Sequence, residues 1–190
     1  MSEQQITESE TKEEKTQAQL DYEAGVEFLK NREAAQAANA FHNALLGFEV
    51  EKNDNGIANA ADKLGDLCAE RHEVDKAMAH YDRAYEVCSK QSDRFSLFSI
   101  EKKKAKLMYD TKNYEKAVEL YLDVLDEYSA LRNPQGSVDT LEILAEIYLA
   151  KGDRAKAADS YRMAASIHKN FRHSKIAEKL LEKAASVEKG

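Results

Sequence analysis

The chain has no tryptophan, one proline, two cysteines and only seven glycines in 190 residues. Proline and glycine supply the tight turns of strand-rich proteins, so their scarcity excludes a many-turned β protein. The cysteines, Cys68 and Cys88, fall at opposite ends of a helix pair in the assignment given below. About fourteen helical residues at ~1.5 Å each put them beyond the reach of a disulfide. Two free thiols are expected, which fits a reducing compartment. No apolar run approaches the ~20 residues of a membrane span. The opening segment, MSEQQITESETKEEK, holds no apolar stretch of signal-peptide type. A basic surplus is absent too: 28 Lys and Arg face 35 Asp and Glu, a net charge of −7. That surface lacks the positive footprint that nucleic acid or anionic lipid selects. The expectation is a soluble cytoplasmic protein with neither nucleic acid nor membrane as partner.

What is present is alanine in quantity and charge of both signs, with 33% of residues Asp, Glu, Lys or Arg. That composition suits helices with solvated outer faces. The stretch AMAHYDRA, Ala77 to Ala84, carries small, aromatic and small residues at offsets of zero, four and seven. The first alanine of this motif recurs as Ala37, Ala77, Ala117 and Ala157, so each copy follows the last by 40 residues. Four residues after each stands Phe41, Tyr81, Tyr121 or Tyr161, and seven after stands Ala44, Ala84, Val124 or Ala164. Twelve before each stands Gly25, Gly65, Ala105 or Ala145. Nine before each stands Phe28, Cys68, Met108 or Tyr148.

Offsets of three and four stack side chains on one helix face. Each copy therefore reads as a pair of helices. The small residues mark close crossings, and the ring between them fills the space that they leave. Burying such a ring contributes about 1.5–3 kcal/mol. Boundary signals agree. Gly152 ends one helix and Asp153 caps the next, Asn113 does the same after Lys112, and Asn133 precedes Pro134 at a helix start. The segment NDNG, Asn53 to Gly56, marks the joint between the first two copies. Helices are predicted over 14–31, 34–51, 54–71, 74–90, 94–111, 114–131, 135–151 and 154–171.

The pattern resembles the tetratricopeptide repeat (TPR) family over roughly residues 18 to 185. The clearest copies are Ile57 to Ala84 and Val138 to Ala164. The usual repeat is shorter; the 40-residue form is similar to the repeats of kinesin light chains and of many bacterial regulators. The chain departs from the family pattern at Ala24 and Lys104, where leucine is usual, and it lacks the proline that closes the second helix. The resemblance implies an all-α fold: a right-handed α-solenoid of four helix-turn-helix repeats plus a C-terminal capping helix. The repeats span about 18–57, 58–97, 98–137 and 138–173, and the cap spans 174–189, all within one solenoid domain over 14–190. Residues 1–13 read as a disordered polar segment. In the cap, Ile176, Ala177, Leu180, Leu181 and Ala184 form an apolar stripe and Glu178, Lys179, Glu182, Lys183 and Glu188 face water. Ala185 stands where a fifth repeat would place its close contact. Terminal helices of this kind keep solenoids soluble.

The resemblance also implies that the first helix of each pair lines a concave groove. The residues turned toward it are Gln19, Tyr22, Val26 and Leu29 in repeat one, and Asn59, Asp62, Asp66 and Ala69 in repeat two. Ser99, Lys102, Lys106 and Tyr109 follow in repeat three, and Asp139, Glu142, Glu146 and Leu149 in repeat four, with Lys179 and Glu182 beyond. Charge thus alternates along the groove. Lys102 and Lys106 either hold an acidic group of a peptide or form a ladder with Asp62 and Asp66 on one side and Glu142 and Glu146 on the other. Asp66 reads as a groove position that tolerates replacement. Tyr22, Val26 and Leu29 offer a candidate apolar docking patch. Family members that grip a carboxyl-terminal Glu-Glu-Val-Asp tail use lysine, asparagine and arginine at matching places, where this chain has Tyr22, Val26 and Asp62.

Catalytic signals are missing. Cys68 and His72 share a helix face but lack further ligands, so the bland reading is a core thiol and a turn residue. His42, His168 and His173 read as scattered surface residues. No phosphate loop or nucleophile motif occurs, and nothing calls for a cofactor or metal. The expected function is a non-enzymatic scaffold, monomeric or weakly dimeric, that binds a peptide or helix of a partner protein. The alternative is a dedicated regulator or secretion-type chaperone of one client.

Overall fold

The computed structural model describes residues 14–189. The sequence-based reading of residues 1–13 lies outside the described residues. Nine helices and no strand occur among them. They are α1 (Gln17–Lys30), α2 (Ala34–Glu51), α3 (Asp54–Glu70), α4 (Val74–Lys90), α5 (Arg94–Asp110), α6 (Tyr114–Ala130), α7 (Pro134–Ala150), α8 (Arg154–Asn170) and α9 (Ser174–Lys189). Each packs on the next in chain order.

The first helix starts three residues later than predicted. Thr16 and Gln19 form a capping box, each side chain satisfying the other's backbone N–H. Every turn between helices is then built alike. A residue in the left-handed region stands at Arg32, Lys52, His72, Ser92, Lys112, Arg132, Gly152 and Arg172, each 20 residues after the last. Its N–H and that of the following residue close back onto the preceding helix, as Lys112 does to the Tyr109 carbonyl and Asn113 to the Met108 carbonyl. This is a Schellman closure, which uses up otherwise orphaned carbonyls. The residue after the left-handed one then begins the next helix. The side chains of Asn53, Asp93, Asn113, Asn133 and Asp153 each accept the backbone N–H three residues on.

Only Gly152 meets the left-handed geometry without a Cβ, and seven bulkier residues carry its cost. Lys112→Gly and Ser92→Gly are expected to stabilise the chain by about 0.5–1 kcal/mol each, and Gly152→Ala to destabilise it by a similar amount. Urea melts measure the three. A destabilised Lys112→Gly variant would show that these turns hold their residues by contacts rather than by backbone preference.

Packing follows the small–aromatic–small rule. A Cβ placed on Gly65 would lie 2.5 Å from the Tyr81 ring, and one on Gly25 would lie 2.8 Å from the Phe41 ring. Gly56 and Gly136 meet the rings of Phe48 and Tyr128 in the same way, so these rings also lock repeat one to repeat two and repeat three to repeat four. Phe41, Tyr81, Tyr121 and Tyr161 are buried, as are Ala37, Ala77, Ala117 and Ala157. Lys104, at the place of a family leucine, holds its ammonium 5.4 Å from the centre of the Tyr85 ring and 2.6 Å from Asp82, so its charge is met by an aromatic face and a carboxylate. Cys68 and Cys88 are both free. On α9, Ala177, Leu180 and Ala184 are buried against the fourth pair. Two expectations for α9 need correction. Ile176 is exposed rather than part of the stripe, and Ala185 is exposed because no described helix follows to press on it.

Candidate partner-binding groove

The first helices of the pairs lie side by side, as their cross-links show. Lys103 on α5 reaches Asp62 at 2.6 Å and Asp66 at 2.8 Å on α3. Tyr109 on α5 donates to Glu146 on α7 at 2.8 Å, and Lys183 on α9 donates to Glu142 on α7 at 3.5 Å. A ladder therefore exists, but not with the expected lysines. The α5 residue that faces Asp62 and Asp66 is Lys103, one position further round the helix than Lys102.

Lys102 lies over the Phe98 ring, 4.8 Å from its centroid, and 5.9 Å from that of Tyr128. Lys106 pairs with Asp110 on its own helix at 2.5 Å. Both remain exposed, and neither makes an ion pair to another helix among the described residues. The reading of Asp66 as a tolerant position is also corrected: Asp66 accepts from the Tyr81 hydroxyl at 2.9 Å as well as from Lys103. Tyr22, Val26 and Leu29 are half-buried against the core, and the Tyr22 ring meets Phe41 edge-on at 5.3 Å. That patch is a partly covered flank, not an open apolar face. Leu149 is exposed.

The central network shifts its own ionisations. Burial pushes the Tyr81 hydroxyl well above the usual tyrosine range, and the Asp66 carboxylate beside it adds to the shift. At Lys103 burial works against the charge, but hydrogen bonds to Asp62 and Asp66 outweigh it and raise the ammonium. At Tyr109 the hydrogen bond to Glu146 does most of the raising. These groups keep their ordinary charges at neutral pH, so the network is a fixed polar bar across the face rather than an acid–base site.

Beside the bar is a cavity of about 310 Å³ between repeats two and three. Tyr81, Ala69 and Leu107 line it on the apolar side, and Asp66, Lys103, Lys106 and Asp110 on the polar side. Of the expected groove residues it gathers Asp66, Ala69 and Lys106, while Glu142, Glu146 and Leu149 stand apart on α7. Sequence reasoning missed Lys103. A signal was there: Asp62–Lys103 and Glu142–Lys183 both pair acid with base at a spacing of 41. The surface reading of the histidines holds for His42 and His173, which are exposed, and fails for His168. His168 is buried, and its Nδ1 lies 3.3 Å from that of His173.

Residues 3–141 match the family model described as soluble NSF attachment protein, SNAP. The chain belongs to the SNAP family. Residues 140–174 of this SNAP-family chain match a tetratricopeptide repeat model as well. No curated protein matches the chain. Among solved structures, the apo form of RapI is 15% identical with a TM-score of 0.75, covering 91% of this chain and 49% of that one. The chain thus spans about half the length of RapI. A Rap protein complexed with competence and sporulation factor is 17% identical with a TM-score of 0.58, covering 90% of this chain and 52% of the other. The TPR-like repeats of a kinesin light chain named from Podosopora anserina are 14% identical with a TM-score of 0.62, covering 92% and 97% of the two chains. These neighbours share the fold: the SNAP-family chain is a TPR-type repeat protein.

Proposed function

We propose that this chain is a non-catalytic adaptor that binds a peptide or helix of a partner protein along the face formed by its first helices. The carrying observation is the cavity beside the Lys103 bar, with an apolar side and a charged rim, held open by helices that are already packed. A preformed site of this kind binds without the cost of ordering itself. The rim charges Lys106 and Asp110 neutralise each other in the free chain and can be re-paired by a ligand. Such exposed pairs are worth only ~0–1 kcal/mol. The Rap structure solved with competence and sporulation factor supports the reading, because a related fold there holds a second molecule. The family name supplies one specific candidate partner, an NSF-type protein.

The test is a pull-down with the full chain, followed by calorimetric titration of the captured partner. Reversing Lys102 and Lys106 to glutamate is expected to weaken binding about tenfold, ~1.4 kcal/mol. Neither lysine makes an ion pair to another helix among the described residues, and Lys102 touches α6 only through the Tyr128 ring, so the fold should survive, with a melting temperature close to wild type. A well-folded double variant that binds its partner as tightly as wild type would remove these lysines and this cavity from the interface.

A further inference from the structure

Three of the four turns that follow a helix pair, over residues 89–95, 129–135 and 169–175, hold six basic residues and one acidic residue, whereas the first, over 49–55, holds one basic and three acidic. The chain as a whole carries −7. Helix dipoles alone do not explain this excess. The turns within pairs, over 29–35, 69–75, 109–115 and 149–155, end helices in the same way yet hold six basic and seven acidic residues. On the basic edge Arg94 pairs with Glu127 and Lys90 with Glu86, and Asp93 is engaged in capping α5. Arg132, Lys169, Arg172 and Lys175 make no ion pair among the described residues.

The same edge carries large apolar residues in water. Phe171 is 55% exposed and Leu131 is 53% exposed, at equivalent places in successive repeats. Phe171 is flanked by two clefts, of about 290 Å³ and about 100 Å³, and Pro134 and Ile167 line both. Asn133 and Asn170 add polar groups in the larger cleft. A third cavity of about 250 Å³, between Phe95, Phe98 and Leu131, continues the row.

We infer that this edge is a second docking surface, distinct from the first-helix face, for an acidic segment of another protein that carries bulky apolar side chains. The unpaired cations match the acidic residues and the clefts receive the apolar ones. An anionic bilayer would answer the charge, but it presents no projecting side chains to fill recesses. The segment would lie across the turns and span repeats three and four.

The probe is a fluorescein-labelled synthetic peptide of glutamates interrupted by two phenylalanines, titrated into the full chain and read by anisotropy. Saturable binding is expected, weaker at higher salt and weaker still when glutamine replaces glutamate in the peptide. Phe171→Ser with Arg172→Glu is expected to lower affinity at least about tenfold, and Lys106→Glu, in the first-helix cavity, to leave it unchanged. Arg132→Glu with Lys169→Glu keeps Phe171 and gives the same reading should the first variant fold poorly by circular dichroism. The inference is overturned by absence of saturable binding, or by equal affinity in the folded edge variants. It is also overturned if phosphatidylserine vesicles bind in an edge-dependent way while the peptide does not. Loss of the adaptor reading on the first-helix face would leave this result untouched, since the Lys106 arm separates the two surfaces.

Discussion

Replacing Gly65 by leucine is expected to destabilise the chain by about 3 kcal/mol or more, the largest effect of any single substitution considered. The reason is geometric. The place of a Cβ on Gly65 is 2.5 Å from the Tyr81 ring, and Tyr81 is 2% exposed and tied to Asp66, so the ring can give way only by shifting toward the cavity that it lines and losing its present packing. Overpacking at such a crossing forces off-rotamer side chains or backbone shifts. Displacing Tyr81 would also break its bond to Asp66 and loosen the bar that Lys103 makes with α3. Asn59→Leu, exposed on the same helix, is the control and is expected to change stability by less than about 0.5 kcal/mol. Asp66→Leu is not a neutral control, because it strands the Tyr81 hydroxyl and half of the Lys103 contacts. Gly65→Leu combined with Tyr81→Ala is expected to cost less than the sum of the two single changes, since the ring that clashes is gone. Urea melts of the four variants give the cycle. Additive costs, or a Gly65→Leu variant that melts with wild type, would show that α3 and α4 do not cross closely there.

Removing α9 by truncation after His173 is expected to leave a helical chain that aggregates and melts at a lower temperature. Ala177, Leu180 and Ala184 cover Tyr161, Ala165 and neighbouring apolar residues of the fourth pair. Burying one leucine alone contributes about 1.5–3 kcal/mol. The cap also brings the ion pair of Glu188 with Arg162, and it lays Lys183 over the Tyr161 ring. A repeat array transmits such a loss mainly to its nearest neighbour, so repeats one and two are expected to keep their protection in hydrogen exchange while α7 and α8 lose theirs. Light scattering and circular dichroism check the first part. A truncated chain that stays monodisperse and melts with the full one would deny α9 the role of a cap.

The helix pairs were legible in the sequence because each was fixed by short-range rules. A 40-residue period, a small residue opposite a ring, and a capping asparagine or aspartate act within one or two adjacent helices, so local spacing carries them. The same reading placed Tyr81, Tyr121 and Tyr161 in the core, where the structure buries them. The groove was legible only as a set of positions. Which lysine meets Asp62 and Asp66 depends on how far α5 is turned and slid against α3, and a rotation of one residue, ~100°, replaces Lys102 by Lys103. Tyr22, Val26 and Leu29 were placed on the right helix, yet the partial burial of Tyr22 depends on the rings of Phe41 and Phe48 on the next one.

The sequence by itself determined the unit, its period, its caps and the identity of the residues that must be small. Tertiary structure alone decided which side chains from different repeats touch. It made Lys103 the bar, joined Tyr109 to Glu146 and Lys183 to Glu142, and left Arg132 and Lys175 on one edge with no ion pair among the described residues. Side-chain pairing between repeats depends on the stagger of packed helices, which is the sum of many small contacts along the array. No single spacing in the chain encodes that sum.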